Sequence, residues 1–487
     1  MNQITVKHKL LISAIFILML INSPHAAEFV VQTDLDLSGG TVIAEISPDV
    51  YTIQTLRSAV EQANDEVNFP GHDLIRFDEN ITTVNPGLNT TIILGLIGDQ
   101  FNYQTQSSPS ALGIDSTITI QGTLPGAPEA DITIEALGLR HFQVNDGGRL
   151  RLYDLTLSDG ETPLNSAGRG GAVVVDDNGQ LEIKNSSFSF NKAVNGGAIA
   201  FQSGALDALI ENSKFRFNDA SDNNPGTSSL GLGGAIFIDS GAQTVTIENS
   251  YLSHNYADAH GGAIYTDQSI VIKNTELNHN DADNNGGALY VLTQGNATIS
   301  NSIFYKNKAL KSGGALYTNS QDMDSIVMVN STIAKNDAGL DLVLRGAQTA
   351  GGGIYSGIDN NLLLHNNIVA DNREAGTDDD DISADLNEAS SYNLIGLNNG
   401  SLFGVIDHDN GNLVGTIAEP INPRLKISQL LTVIGLESDS PAVNSGSDAQ
   451  AIAAGLVYDI IGNDRIIGTA VDRGAFESDV IFINGFE

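Results

Sequence analysis

Residues 270–291 read IVIKNTELNHNDADNNGGALYV, and residues 297–318 repeat them in outline as ATISNSIFYKNKALKSGGALYT. Both segments contain two asparagines six residues apart, followed by a Gly-Gly-Ala turn and a short apolar run. The same asparagine spacing occurs seven times, in the pairs Asn185/Asn191, Asn212/Asn218, Asn249/Asn255, Asn274/Asn280, Asn301/Asn307, Asn330/Asn336 and Asn366/Asn372. A unit that recurs in this way is typical of a solenoid, in which each coil is one copy of the repeat.

Apolar and polar residues alternate before the first asparagine of each pair. The positions two and four residues before it are apolar in every copy, as with Ile270 and Ile272. The position directly before it is polar in every copy except that of Val329. Alternation with a period of two predicts a half-buried strand. Another apolar residue follows three positions after the first asparagine, and alanine follows eight positions after it in six copies.

Successive repeats are 25 to 37 residues apart. A coil of about 25 to 27 residues accommodates three short strands and three corners. We therefore predict an all-β fold, a single-stranded right-handed parallel β-helix, rather than a helical solenoid, because apolar patterns with a 3.6-residue period are scarce. Successive coils would stack about 4.8 Å apart, so that like residues lie over like residues and the asparagines can form amide ladders.

A Gly-Gly pair opens a strand seven times, once before the first pair of asparagines and then after each of the first six pairs, up to Asn330/Asn336. Glycine permits a positive φ or a close approach of two backbones, which a corner requires. Alanine follows the pair in all copies except the last. The pairs begin or lie at Gly170, Gly196, Gly233, Gly261, Gly286, Gly313 and Gly352.

The amino terminus has the layout of a secretory signal peptide. Lys7 and Lys9 precede an apolar run from Leu10 to Ile21, and the small-residue stretch NSPHAA follows at 22–27. Such a layout predicts export, with cleavage after Ala26 or Ala27. The run is too short to span a bilayer comfortably, and no later segment reaches that length. We therefore expect a protein on the cell outer membrane surface or outside the cell, with no transmembrane span in the mature chain.

We predict four regions along the chain. Residues 1–26 are the signal peptide, 27–112 the amino-terminal cap and first strands, 113–420 the β-helix, and 421–487 a carboxy-terminal cap. The last of these ends in an apolar tail from Val480, which is either a sorting signal or a final strand.

A short helix is predicted within the amino-terminal region. Apolar residues at 56, 59, 60 and 63 have helical spacing, and Thr55 can serve as the N-cap. An amphipathic helix here would cover the first coil, whose strand edges would otherwise be open to aggregation.

The chain is strongly acidic, with a formal net charge of −36 and no cysteine. This charge repels phosphate backbones, so we exclude nucleic acid as a partner. We predict no cofactor, with calcium as the ion most compatible with the charge. Carboxylates suited to calcium occur in a run of four aspartates and in the segment DHDNG. The candidate calcium ligands are Asp378, Asp379, Asp380, Asp381, Asp407 and Asp409.

Two outward-facing columns contain titratable side chains. Lys184, Glu211, Glu248 and Lys273 precede the first asparagine in successive copies, and they predict ion pairs between coils, each of small effect. His254 and His279 precede the second asparagine in adjacent copies and should stack, with His260 close in sequence. Two or three imidazoles can bind zinc or copper, but solvent-facing corner histidines fit the pattern better.

Two copies of the repeat are about ten residues longer than the others. Both insertions fall between the alanine that lies eight positions after the first asparagine and the next Gly-Gly pair, at 219–232 and 337–350. Four coils separate them, so they should project from one flank about 20 Å apart. Loops on a rigid scaffold commonly carry binding sites. We therefore predict that this flank contacts an extended glycan or another surface protein.

Several segments resemble known bacterial families. Leu56, Arg57, Ala59, Ala63 and Asn64 are similar to the signature of CSLREA-domain proteins, although Gln54, Thr55 and Ser58 replace its usual Cys, Ser and Glu. The asparagine and Gly-Gly-Ala units resemble the repeats of polymorphic outer membrane proteins. The segments SYNLIG, SPAVNSG and DRGAFE, which begin at Ser391, Ser440 and Asp472, resemble choice-of-anchor Q proteins. These resemblances imply a pectin-lyase-like fold in the cell envelope or exterior, without specifying a reaction.

The sequence favours a non-enzymatic role in adhesion, surface structure or glycan binding, and it identifies no catalytic residue. The alternative is a polysaccharide lyase or glycoside hydrolase, which would place clustered carboxylates and a Lys or Arg in one groove.

Overall fold

The chain is seen here as a computed structural model. It describes residues 26–37, 42–82, 90–97, 110–123, 132–162, 168–221, 231–320, 325–339, 351–359, 361–374, 380–427 and 434–478. The predicted signal peptide and the apolar tail lie outside these residues, apart from Ala26.

Regular structure in these ranges is dominated by parallel strands in four sheets. The first sheet contains, in spatial order, β2 (Val42–Ser47), β3 (Val50–Ile53), β1 (Glu28–Thr33), β4 (His72–Thr82), β7 (Thr117–Gln121), β10 (Arg149–Tyr153), β13 (Gln180–Lys184), β17 (Ala208–Glu211), β21 (Val245–Glu248), β25 (Ser269–Lys273), β29 (Asn296–Ser300), β33 (Ile326–Val329) and β37 (Leu362–His365). The second contains β5 (Thr90–Leu94), β8 (Ile132–Ala136), β11 (Leu155–Ser158), β14 (Ser187–Ser189), β18 (Lys214–Arg216), β22 (Tyr251–Ser253), β26 (Glu276–Asn278), β30 (Ile303–Tyr305), β34 (Thr332–Ala334), β38 (Ile368–Ala370), β41 (Leu394–Asn398) and β43 (Leu413–Thr416).

The third sheet contains β6 (Ser110–Ile114), β9 (Arg140–Val144), β12 (Val173–Val175), β16 (Ile199–Phe201), β20 (Ile236–Ile238), β24 (Ile264–Thr266), β28 (Leu289–Val291), β32 (Leu316–Thr318), β36 (Ile354–Ser356), β40 (Ile382–Asp385) and β42 (Leu402–Phe403). A short sheet contains β15 (Lys192–Ala193), β19 (Asp219–Ala220), β23 (Tyr256–Ala257), β27 (Asp281–Ala282), β31 (Lys308–Ala309), β35 (Asp337–Ala338) and β39 (Arg373–Glu374). The antiparallel pair β44 (Leu425–Ile427) and β45 (Ile434–Leu436), a 3₁₀ turn (Asp409–Gly411) and helices α1 (Leu56–Ala63) and α2 (Asp448–Ala453) complete the description.

Each repeat forms one coil that passes through the first, second, short and third sheets in turn. In one such coil these strands are β25, β26, β27 and β28, and each pairs in parallel with its counterpart in the next coil. The apolar positions before the first asparagine face inward and are buried, as with Ile270 and Ile272. The all-β fold, with parallel sheets stacked in a right-handed β-helix, is confirmed. A coil has four strands rather than the predicted three, because the two residues after the second asparagine pair with the next coil.

The two asparagines of each pair have different roles. The first adopts the left-handed backbone conformation at the corner between the first and second sheets, with φ between 47° and 57°. Asparagine tolerates this conformation better than most residues, which explains its recurrence at the corner. Its side chain is paired to a neighbouring coil only in places, as between Asn274 Nδ2 and Asn249 Oδ1 at 3.1 Å.

The second asparagine is buried and forms the predicted amide ladder. Asn280 Nδ2 donates to Asn307 Oδ1 at 2.9 Å and to the carbonyl of Leu252 at 3.0 Å. Its own Oδ1 accepts hydrogen bonds from the backbone N–H and the Nδ2 of Asn255. The pattern repeats from Asn191 to Asn372, so each side chain satisfies buried polar groups of two coils.

A second ladder consists of the residue directly after the first asparagine in seven coils, and it continues through Asn393 and Asn412 in the next two coils. The backbone N–H of each member donates to the side-chain oxygen of the member in the next coil. Its members are Ser186, Ser213, Ser250, Thr275, Ser302, Ser331, Asn367, Asn393 and Asn412.

Both glycines of the Gly-Gly pair are required, for different reasons. The first has a positive φ, 68° at Gly286. The second lies against the next coil so closely that a Cβ at Gly287 would lie 2.2 Å from the carbonyl oxygen of Gly314. The last pair needs a correction of one residue: it is Gly351-Gly352, with φ 67° at Gly351, and Gly353 occupies the alanine position.

Helix α1 is confirmed as the amphipathic helix of the amino-terminal region. Thr55 Oγ1 accepts a hydrogen bond from the backbone N–H of Ser58, as an N-cap does. The helix buries its apolar face against β1, β4, β6 and β7. Arg57 is buried, pairs with Asp36 at 2.6 Å and donates to the carbonyls of Ala111 and Leu96.

The described part of the carboxy-terminal segment, up to residue 478, lies along the outer side of the second sheet. Phe476 packs against Ile303 and Tyr305. The first asparagines of three successive coils bind its backbone through Nδ2: Asn301 donates to Tyr458, Asn330 to Asp472 and Asn366 to Ser447. This segment therefore covers apolar residues on the flank of several coils.

Candidate ligand groove

A column of outward-facing residues runs along the corner between the second sheet and the short sheet. Each member directly precedes a ladder asparagine and has a positive φ between 51° and 59°. Unlike the ladder, this column varies in chemistry along the helix, from aromatic to cationic side chains. Its members are Phe190, Phe217, His254, His279, Lys306, Lys335 and Asp371.

The cationic part of this column lines a groove of about 590 Å³. The short sheet forms its other wall, because β31, β35 and β39 each begin with an outward-facing charged residue. The groove residues are His279, Lys306, Lys308, Lys335, Asp337, Asp371, Asn372 and Arg373. Four cations and two carboxylates give the groove a net positive charge on a chain of net charge −36.

The groove cations differ from the other cations of the flank in their pairing. Lys192, which occupies the position of Lys308 four coils earlier, forms an ion pair with Asp219 at 2.7 Å. Within the described part of the chain, Lys308, Lys335 and Arg373 form no ion pair with a carboxylate. Lys308 interacts electrostatically with Asp281 of the preceding coil, but none of the three cations is engaged by a direct ion pair with a described carboxylate, so an anionic ligand can approach them.

Two stacked imidazoles close one end of the groove. The rings of His254 and His279 are 4.9 Å apart and inclined by 2°, which confirms the predicted stacking. Burial lowers the pKa of His279 below its ordinary value, and the nearby His254, Lys306 and Lys308 lower it further. His279 is therefore neutral near pH 7 and offers a hydrogen bond rather than a charge. His260 lies apart from this pair, against Tyr290.

Exposed aromatic rings continue the column beyond the histidines. Phe217 lies 5.0 Å from His254, and Phe190 lies 5.2 Å from Phe217, measured between ring centroids. Phe190 is 58% exposed and Phe217 is 46% exposed. The flank therefore presents a polar cationic groove that leads into an apolar aromatic strip.

The ion-pair column predicted on the first sheet is confirmed. Lys184 lies 3.6 Å from Glu211, and Lys273 lies 3.2 Å from Glu248. The same face contains a hydrogen-bonded group in which Arg151 contacts His72 and Glu182.

The two long insertions begin on the flank that carries the groove. The insertions follow Asp219 and Asp337, and Asp337 itself lines the groove. β19 and β35, which contain these residues, are four coils apart. Most of both insertions, 222–230 and 340–350, lies outside the described residues.

The calcium candidates occupy three different environments, and Asp378 and Asp379 lie outside the described residues. Asp381 ends the amide ladder: its Oδ1 accepts from the backbone and the side chain of Asn372, and its Oδ2 accepts from the backbone N–H of Leu397. Asp407 and Asp409 lie on exposed turns. Among described residues no three Asp, Glu or His side chains are grouped as metal ligands. Calcium binding stays a prediction.

Asp380 and Asp381 predict a pH-dependent stability. Burial raises the pKa of Asp380 to about 7 and that of Asp381 to about 8. Because both values lie above those of an unfolded chain, stability is greatest when the groups are protonated and falls as the pH rises from about 4 to 8. Both oxygens of Asp380 are buried, and contacts with Ser401 and with the backbone of Asn399 and Ile382 offset only part of the rise that burial causes in its pKa. We expect Asp380→Asn to remove on the order of 3 kcal/mol of this pH dependence, measured by urea unfolding at pH 5 and pH 9.

Asp385→Asn, on a more exposed carboxylate at the end of the strand that follows Asp380, is the control for that measurement. If the free energy of unfolding changes between pH 5 and pH 9 by the same amount in the Asp380 variant as in the unmodified chain, Asp380 does not have the raised pKa. A stabilisation by Ca²⁺ at pH 9 that Asp380→Asn abolishes would instead support the calcium prediction.

In the described part of the chain, no helix combines the length and the apolar character that crossing a bilayer requires. The stacked parallel coils define a right-handed β-helix, and the comparison with known families agrees. The model of the right-handed β-helix region matches residues 142–350 and 235–415, which together are more than half of the 487 residues. The chain therefore belongs to this family.

Among solved structures, the chain is similar to pectate lyase Pel9A, with a TM-score of 0.49 and 13% sequence identity. The alignment covers 94% of this chain and 98% of the lyase. At this level the similarity concerns the fold alone. No curated protein matches the sequence.

Proposed function

We propose that this chain is an exported protein that binds an extended acidic polysaccharide along its flank. The supporting observation is the groove in which Lys308, Lys335 and Arg373 converge without ion-pair partners in the described structure. The chain as a whole has a net charge of −36 and repels anions, whereas the groove has a net positive charge. An anionic ligand is therefore attracted to the groove and not to the rest of the surface.

The spacing of the cations suits a linear ligand. Lys306 and Lys308 belong to one coil, Lys335 to the next and Arg373 to the one after it. Successive coils are about 4.8 Å apart, which is close to the length of one sugar unit in a polysaccharide. A polyuronate chain that lies along the helix axis would therefore offer one carboxylate to each coil. Lysine and arginine form charge-assisted hydrogen bonds with such carboxylates.

Nucleic acid fits this groove less well. A phosphate polymer has a higher charge density and would run beyond the groove onto the acidic surface, where repulsion opposes binding. Uronate polymers have one charge per sugar, and their hydroxyl groups can hydrogen-bond to neutral groups such as His279 and Asn372.

Export is part of the proposal and rests on the sequence of the amino terminus. Lys7, Lys9 and the apolar run that follows them are typical of a secretory leader. A location on the cell surface or outside the cell would bring the protein into contact with envelope or environmental glycans.

The proposal predicts that the double variant Lys306→Gln/Lys335→Gln loses binding to polyuronates. Each lysine that hydrogen-bonds to a carboxylate contributes roughly tenfold in affinity, so the double variant should bind about 100-fold more weakly. Binding can be measured by calorimetry with oligogalacturonates and oligomannuronates, at low and high salt. Lys426→Gln, on an exposed lysine away from the groove, is the matched control. Equal affinity of both variants would contradict the proposal.

Cleavage of the bound glycan is the second candidate function. The groove places Asp337 and Asp371 on adjacent coils beside Lys335, and this set of groups is capable of acid–base chemistry on a glycan. Incubation with polyuronates, followed by absorbance at the wavelength of unsaturated uronates and by reducing-end analysis, separates a lyase from a hydrolase. Binding without either product would leave glycan binding as the function.

A further inference from the structure

Asp73 is a carboxylate at an inward-facing position of β4. It alternates with Ile75 and Phe77, which are both buried in the core, and it is itself 0% exposed. Its Oδ1 accepts a hydrogen bond from the backbone N–H of Ala27 at 2.7 Å. Its Oδ2 is buried and has no hydrogen-bond partner in the described part of the chain. A buried carboxylate is normally paired with a cation, because an unpaired buried charge is strongly destabilising.

The surroundings of Asp73 supply no such cation. Burial and, to a smaller extent, the negative charge of Glu66 raise the pKa of Asp73 to about 6, although the hydrogen bond from Ala27 lowers it. Glu66 is itself hydrogen-bonded to the backbone N–H of Gly71. The neighbouring His72 is engaged on the other face of the strand, with Thr119 and Arg151. The site therefore favours an additional positive group.

Ala27 is in position to provide that group. It is 3% exposed, and its carbonyl accepts a hydrogen bond from the backbone N–H of Leu74 at 2.9 Å, which fixes it beside Asp73. Ala26 is exposed. The bond between these two alanines lies at the end of the small-residue stretch where the sequence predicts cleavage of the leader.

We propose that the leader is cleaved between Ala26 and Ala27 and that the new α-ammonium group of Ala27 forms a buried ion pair with Asp73. Water adds to the carbonyl of Ala26 and the peptide C–N bond breaks. Ala26 leaves with the carboxylate, and the nitrogen of Ala27 remains in place as the ammonium. This group has three N–H donors, so it can serve both Oδ1 and Oδ2 of Asp73. Cleavage after Ala27 would remove the donor, and the structure thus distinguishes between the two predicted cleavage sites.

This inference rests on the export part of the proposed function, but not on glycan binding. The first experiment expresses the full chain with its own leader in a bacterial host, purifies the exported protein and determines its amino-terminal residue by intact mass and Edman sequencing. We expect Ala27. A mature chain that begins at Glu28, or one that keeps the leader, would overturn the proposal.

The second experiment tests the ion pair itself. Chains that begin at Ala27 or at Ala26 are produced by cleavage of an amino-terminal fusion, each with Asp73 or with Asp73→Asn. Because Ala26 is exposed, its retention displaces the charge without a steric clash. At pH 7 the chain that begins at Ala27 should have a thermal midpoint roughly 4 °C higher than the chain that begins at Ala26. In the Asp73→Asn background the two midpoints should coincide; the same difference in both backgrounds would overturn the ion pair.

The pH dependence and the reactivity of the amine give independent readouts. With Ala26 retained, the raised pKa of Asp73 means that the midpoint should rise when the pH falls from 7 to 5. The chain that begins at Ala27 should lack this rise. Its α-amine should also react at least tenfold more slowly with an amine-acylating reagent than in the Asp73→Asn variant. Loss of glycan binding in the lysine variants would leave all these results unchanged, so the two proposals fail separately.

Discussion

The variant Gly287→Ala is expected to abolish folding of the mature chain. A Cβ at this position would lie 2.2 Å from the carbonyl oxygen of Gly314 and 2.5 Å from backbone atoms of Lys308. These are backbone atoms of the next coil, so relief requires the two coils to separate, which also breaks the strand pairs on either side. The total stability of a protein is about 5–15 kcal/mol, and this overlap exceeds what it can accommodate.

Secretion yield and circular dichroism measure the effect of Gly287→Ala. Gly95→Ala is the matched control, because no atom lies within 4 Å of its added Cβ. Replacing that glycine should leave stability unchanged or raise it by about 0.4–1 kcal/mol through the unfolded state. A folded Gly287→Ala protein with native unfolding behaviour would show that the coils are less tightly stacked at this column than the structure indicates.

The variant Asn280→Ala is expected to destabilise the chain by about 4 kcal/mol, because each buried polar group left without a partner costs about 1–3 kcal/mol. The substitution removes two hydrogen bonds that Nδ2 donates, to Asn307 and Leu252, and two that Oδ1 accepts from Asn255. Urea unfolding of the mature chain measures the loss. Amide exchange at Asn255, whose backbone N–H loses its acceptor, reports it locally.

Asn274→Ala is the control within the same repeat. Asn274 is the first asparagine of its pair, with a φ of 47° and a partly exposed side chain. Its replacement should cost about 1 kcal/mol through the left-handed backbone conformation. Equal losses for the two variants would mean that the buried ladder contributes no more than the corner.

The repeat predicted the β-helix because each inward position recurs with the same chemistry. Two details were beyond its reach. Both asparagines of a pair recur with the same repeat period, so the sequence alone did not show which one lies at the corner and which one forms the buried ladder. The two-residue strands, such as Asp281–Ala282, are too short to show alternation. The second ladder, by contrast, could have been predicted, because Ser or Thr directly follows six of the first asparagines.

The groove was harder to predict than the fold. Lys306 and Lys335 occupy a column in which Phe, His and Asp also occur, so no conserved chemistry marks it. Only the coil register brings Arg373 beside Lys335, across 38 residues of sequence. Asp73 stands out in the sequence, because it occupies a position that continues the inward-facing apolar alternation of Ile75 and Phe77. Its meaning depends on Ala27, which the sequence places 46 residues away.

The contacts of the carboxy-terminal segment with the flank bear on how the protein responds to mechanical load. Asn301, Asn330 and Asn366 hold this segment on three neighbouring coils, and Arg473 donates to the carbonyl of Asn393 on a fourth. A pulling force applied at residue 478 is therefore divided among several coils in the carboxy-terminal part of the solenoid, rather than acting on one coil. Detachment of the segment then requires these hydrogen bonds to break together.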